Sequence, residues 1–302
     1  MRNRIAHLAA AGILASILAV APAAEATFPG DNGRILFSAR KQGVYSVSLD
    51  GDVVRLTRKG IAPAASPSGD LLTFTRREGL FSLDLGTGER KQLTSPDRPY
   101  VDLGSAFAGP DGSRIVFTSR READGGLGDT AIWSMDRSGS DLTPLTRLRD
   151  EPLYDDMVDS SPDGERLAFA RRVRNKRWSE IYTMDADGGD VRRLTFSGEG
   201  IAYWPSFSPD GKRVLFTLYH GQKSVLATIP ADGGKVRRIT KPNEDVRHGV
   251  FSPNGRLIVA SVPENGSGEP LVTMDLNGGH RHRITPKRFH SPEASGWIAR
   301  GR

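Results

Sequence analysis

The sequence predicts an all-β fold, a six-bladed β-propeller of four-stranded antiparallel blades, on three observations. A tight-turn motif recurs six times. The same succession of strand patterns follows each turn. The end of the chain repeats a strand that its beginning lacks. Regular recurrence at 20–50 residues is the mark of a repeat architecture.

The turn reads Ser-Pro-x-Gly at Ser66 to Gly69, Ser161 to Gly164, Ser208 to Gly211 and Ser252 to Gly255. Gly109 to Gly112 is a variant, and Asp31-Asn32-Gly33 a remnant. Proline presets its own φ, Asp or Asn bonds the local backbone, and glycine accepts positive φ. The turn glycines, at 33, 69, 112, 164, 211 and 255, set a period near 44 residues. A strand is expected after each turn, at 34–40, 71–77, 114–120, 166–172, 213–219 and 256–262. A second follows, ending in a Gly-rich turn, and a last short strand closes in Leu/Ile-Thr at Thr57, Thr94, Thr146, Thr195, Thr240 and Thr285. Much of this material alternates apolar and polar, and no segment carries a long helical period. One isolated sheet of this size is marginal; six packed face to face bury one another.

The ends imply ring closure. The first repeat lacks the strand that should precede Asn32-Gly33, and the last is followed by a segment ending at Trp297 that resembles Tyr203 to Phe207. The C-terminal strand is therefore expected to pair into the first blade. Before the repeats, Arg2 and Arg4, an apolar run over 8–20 and the small residues Ala24 and Ala26 read as a signal peptide over residues 1–26. Residues 27–302 are then expected to be one propeller domain, secreted to the periplasm or the exterior, monomeric, and with no transmembrane segment in the mature chain. The sequence has no cysteine, so no disulfide holds the fold.

The strings Pro205 to Arg213, Ile181 to Gly189 and Arg192-Arg193-Leu194-Thr195 resemble the WD-repeat-like blades of the TolB-type propeller family, and the likeness recurs over 30–298. The resemblance implies a six-bladed propeller that binds other proteins of the cell envelope, as TolB does within the Tol–Pal assembly. It departs from TolB in that the leader runs directly into the first blade, without TolB's α/β domain.

The net charge of +6 raises the question of a nucleic-acid partner. The excess sits on predicted outer strands, at Arg55, Lys91, Arg192, Arg193, Arg237, Arg238, Arg281 and Arg283, where charge blocks edge-to-edge aggregation. No aromatic-basic interleave suited to base stacking is present. No nucleic acid is expected as partner. A second basic group, Arg171 to Trp178, is read as a loop in blade four on the face that carries the inter-blade connections. Arg174 and Trp178 are its candidate contacts with a protein or peptide. Residues just ahead of each inner strand should reach the mouth of the central channel: Asp102, Asp155, Asp156, Trp204, His248 and Glu293. Convergent carboxylates there suit a Ca²⁺ ion, a basic peptide or a sugar; no other cofactor is expected.

No Gly-x-Ser-x-Gly elbow and no His-Glu-x-x-His motif occurs. The expectation is an exported, non-catalytic binding propeller; the alternative is a lyase or hydrolase acting on a carbohydrate or polymer at the channel mouth.

Overall fold

A computed structural model describes residues 30–298 except 40–42, 95–99, 122–129, 147–152, 174–177, 197–199, 222, 265–268 and 290–291. The expected signal peptide lies outside the described residues. The described strands form six antiparallel four-stranded sheets. Five are meanders of consecutive strands. The first completes itself with the last strand of the chain, so that Pro292–Ile298 pairs antiparallel with Arg34–Ala39, Ile35 opposite Trp297 and Ser38 opposite Glu293.

The expected strands fall where the turns placed them, with second strands at Leu71–Arg76, Arg114–Arg121, Arg166–Val173, Arg213–His220 and Leu257–Ser261. In each Ser-Pro-x-Gly turn the glycine donates its N–H to the serine carbonyl at 2.8–2.9 Å. The serine hydroxyl then accepts from the backbone N–H five residues on, at 2.9–3.0 Å. The closing threonines have an equally local role. Each of the six accepts, through Oγ1, the N–H of an aliphatic residue on the third strand of its own blade, from Leu271 to Thr285 at 2.8 Å through Val44 to Thr57 at 3.2 Å. A hydroxyl thus substitutes for a ladder acceptor where the two-residue or three-residue outer strand is too short to supply one.

Second and third strands are buried on both faces, because each blade is covered by two neighbours. Six apolar clusters fill the six seams between blades. The closing seam is packed as the others are: Ile35, Phe37 and Trp297 of blade one meet Val259, Leu271 and Ile284 of blade six. Outer strands such as Arg192–Arg193 and Arg237–Arg238 are exposed and short, as charged sheet edges are.

The turn glycines also bring successive blades together. A Cβ on Gly164, whose φ is +74°, would sit 2.3 Å from the Gly109 backbone; one on Gly112 would sit 2.3 Å from the Pro67 ring. At these two positions the turn rests on the turn of the preceding blade, and only a residue without a side chain permits that approach.

Candidate functional site

The innermost strands of the six blades, Pro292–Ile298, Ile61–Ala65, Tyr100–Ala108, Leu153–Ser160, Ile201–Phe207 and Arg247–Phe251, surround a cavity of about 470 Å³. None of these strands is regular. Each carries a register shift against its neighbour: between Ile61 and Ala64, Asp102 and Gly104, Asp156 and Asp159, Tyr203 and Ser206, and Arg247 and Val250, and opposite Leu36 and Phe37 in blade one. An extra residue bends the strand and re-aims the side chain it carries.

In four blades the first bulged residue is non-glycine yet left-handed: Ala62 (φ 46°), Met157 (58°), Trp204 (53°) and His248 (55°). All four stand four residues ahead of the turn serine. The position is structurally equivalent, and the strain, about 1–3 kcal/mol at each, is repeated around the ring. All four line the cavity, as do Gly104 and Ser295 at the shifts of blades three and one. In two blades the next residue is proline, Pro63 and Pro205, which has no N–H to lose from the ladder. In blade six it is Gly249, where a Cβ would press on Leu226 and Leu215 at 2.9–3.0 Å.

Strand alternation and the bulge together decide which predicted residues reach the channel. Asp156, Trp204, His248 and Glu293 line the cavity, drawn there from four different blades. Asp155 does not. It is buried in blade four, where Arg171 donates to it bidentately, Nε to Oδ1 at 2.6 Å and Nη2 to Oδ2 at 2.8 Å. Adjacent residues of an extended strand face opposite ways, so one aspartate meets the channel and the other the blade interior. Arg171 and Arg172 are accordingly strand residues of Arg166–Val173, not loop residues. Arg172 lies over the Tyr154 ring, 4.3 Å from its centroid. Trp178 is half-buried ahead of Glu180–Asp185 and is not part of the cavity wall. Asp102 belongs to the inner strand of blade three, opposite Ser119 at the register shift. Arg174 lies outside the described residues.

Three of the wall residues that escaped the sequence reading bear on the site's chemistry or strain. Asp159 follows the bulge of blade four, and its Oδ2 accepts the Phe207 N–H of blade five at 2.8 Å. Met157 occupies the strained position itself. Trp297, fully buried in the closing strand, also contributes to the wall. The signal for Met157 was its offset from the turn serine, shared with Trp204 and His248.

On one side of the wall the aromatic rings gather. Trp204 lies 4.1 Å from His248, edge to face at 78°, with Tyr203 at 5.6 Å and Tyr219 at 6.0 Å. His248 is 6% exposed, and its backbone N–H is held by Thr217 Oγ1 at 3.1 Å. Burial, and secondly the positive charge of Arg247, push its pKa down from 6.5 to about 4, so the ring is neutral at pH 7. Burial likewise pushes the Tyr219 phenol up to about 12. Arg247 is engaged by Asp245 at 2.9 Å and Glu269 at 3.7 Å. The wall is thus largely apolar. Its charged members among the described residues are all acidic, Asp156, Asp159 and Glu293. Among the described residues no group of three or more His, Asp or Glu side chains is arranged to hold a metal ion, and no helix is long and apolar enough to cross a membrane.

Known proteins resemble the chain in sequence and fold. A family model described as the TolB beta propeller domain matches residues 158–295. An uncharacterized protein of Agrobacterium fabrum, Atu1656, is 28% identical over 194 residues, which is 59% of this chain and 62% of that protein. The Tol-Pal system protein TolB of Wolinella succinogenes is 25% identical over 203 residues, 66% of this chain but 42% of its own length. The chain therefore spans less than two thirds of either relative. The crystal structure of TolB from Acinetobacter baumannii superposes with a TM-score of 0.71 at 23% identity, covering 90% of this chain and 68% of that one, a likeness of fold. Repeat motif, ring topology and relatives agree in supporting a TolB-type β-propeller.

Proposed function

We propose that this chain is an exported, non-catalytic propeller that binds a protein or peptide of the cell envelope at its channel mouth and loop-rich face. The observation that carries the reading is the ring of bulged, left-handed residues around the cavity. A fold that needed only to close would place glycine there; instead four blades spend stability to turn Ala62, Met157, Trp204 and His248 toward one space. Strain concentrated around a preformed apolar cavity with a few polar groups is the expected form of a binding site. The TolB relatives, named as Tol-Pal system proteins, support a partner within the envelope.

The test is capture by the tagged propeller from a bacterial envelope fraction, followed by titration of the purified partner. Trp204→Gly removes the central ring while suiting the left-handed backbone, and it should weaken binding at least about tenfold, as loss of an aromatic anchor does. A partner that binds the variant as tightly as the parent would remove the channel mouth from the interface. Turnover of a polysaccharide by the same preparation would favour the channel-mouth enzyme instead.

A further inference from the structure

We infer that the channel cavity is a receptor for a basic side chain, a lysine or arginine that the bound partner inserts along the axis. The inference rests on the binding reading above and adds the chemistry of the group bound.

Charge selects the class of ligand. The protein as a whole is positive, at +6, yet the charged residues of the cavity wall among those described are Asp156, Asp159 and Glu293. A wall of this sign within a low-dielectric surround favours a cation and disfavours an anionic group. The remaining lining suits the stem of such a side chain. Ala62, Pro63, Val158, Pro205 and Val250 offer aliphatic surface along which methylenes pack. Trp204 lines the same cavity, and indole is the aromatic group that best receives a cation.

Two buried polar atoms point to a ligand independently of the carboxylates. His248 is 6% exposed and Trp297 fully buried, both line the cavity, and neither His248 Nδ1 nor Trp297 Nε1 has a hydrogen-bond partner. A buried polar atom left unmatched costs about 1–3 kcal/mol, a penalty that folded proteins rarely carry without use. Because the His248 ring is neutral, it adds no positive charge against an incoming cation, and it can offer a lone pair to an ammonium or guanidinium N–H. Trp297, a donor only, would meet a carbonyl flanking the inserted side chain. The volume, about 470 Å³, lies in the usual range for a small-ligand site and accommodates a side chain with its adjoining backbone.

The experiment titrates the full chain with acetyl-Ala-Lys-Ala-amide and with the same peptide carrying norleucine or glutamate in place of lysine, read by tryptophan fluorescence and calorimetry. The lysine peptide should saturate the signal and bind at least about tenfold more tightly than either control, since the charge pair is all that separates it from norleucine. Asp156→Asn combined with Glu293→Gln, verified as folded by an unchanged melting profile, should abolish that preference while leaving the norleucine peptide unaffected. Equal binding of lysine and norleucine peptides, no saturation by the lysine peptide, or a preference that survives in the double variant would overturn the inference. Partner capture separates the two claims. An envelope partner held equally by parent and double variant leaves the binding reading standing and removes this one. Lysine-peptide selectivity with no envelope partner does the reverse.

Discussion

Acid should destabilise this propeller through His248, by an amount the geometry sets. The side chain is 6% exposed, edge-on to Trp204 at 4.1 Å. Burial, then the adjacent Arg247 charge, lower its pKa from 6.5 to about 4. Below pH 6.5 the unfolded chain takes up a proton that the folded chain refuses until about pH 4. The unfolded state binds more protons in that window, so stability falls as pH falls through it. The full interval corresponds to about 3 kcal/mol, at 1.36 kcal/mol per pH unit. Carboxylates also respond to acid, so the measurement needs a reference that differs at this one ring. His248→Asn serves: asparagine tolerates the φ of +55° found there and does not titrate. Urea unfolding of both proteins at several values between pH 7 and 4.5 yields the difference between them. The parent should lose about 2–3 kcal/mol more than the variant over that range. Parallel losses would show that His248 is protonated in the folded state without penalty, and the account of a neutral, buried ring would fail.

Other substitutions probe the scaffold. Trp297→Ala empties a fully buried position in the closing seam and should cost about 3–5 kcal/mol, measured by denaturant unfolding; a loss under 1 would mean that the ring does not depend on this strand. Gly164→Ala adds a Cβ at φ +74° against the Gly109 backbone, and a cost of about 2 kcal/mol or more is expected in the same assay, whereas Gly233→Ala, with open space around it, should lose less. Asp155→Asn leaves Arg171 without its bidentate carboxylate inside blade four and should cost about 3 kcal/mol or more, much of it recovered when Arg171→Met is added; a double variant no better than the single would deny that the pair acts as one unit.

The wheel was legible because its cues are local. Pro, Ser and Gly at a fixed spacing dictate a turn wherever they occur, and six repetitions imply six blades without any long-range information. Trp297 announced the closing strand because its segment resembled another inner strand. The cavity was legible only in part. Asp156, Trp204, His248 and Glu293 were expected just ahead of the inner strands; they lie within them and line the cavity, whereas Asp155, marked by the same rule, belongs elsewhere. Strand alternation separates Asp155 from Asp156, while the bulge places Trp204 and His248, and its left-handed residues are Ala, Met, Trp and His, none of which advertises positive φ in a sequence. Arg171 was misplaced for a related reason. A run of basic residues looks like a loop, yet a buried aspartate on the neighbouring strand holds its first member in the sheet.

Joining head to tail has a kinetic corollary. Residue 34 must wait for residue 298 before its sheet is whole, a pairing across almost the entire chain. Loop closure over such a span is slow, and until it happens Arg34–Ala39 has one bare edge and the sixth blade one uncovered flank. A ribosome that has delivered five blades has therefore delivered an unlocked molecule. The seven-residue strand Pro292–Ile298 acts as a latch, engaging only after the other strands of the six blades have emerged.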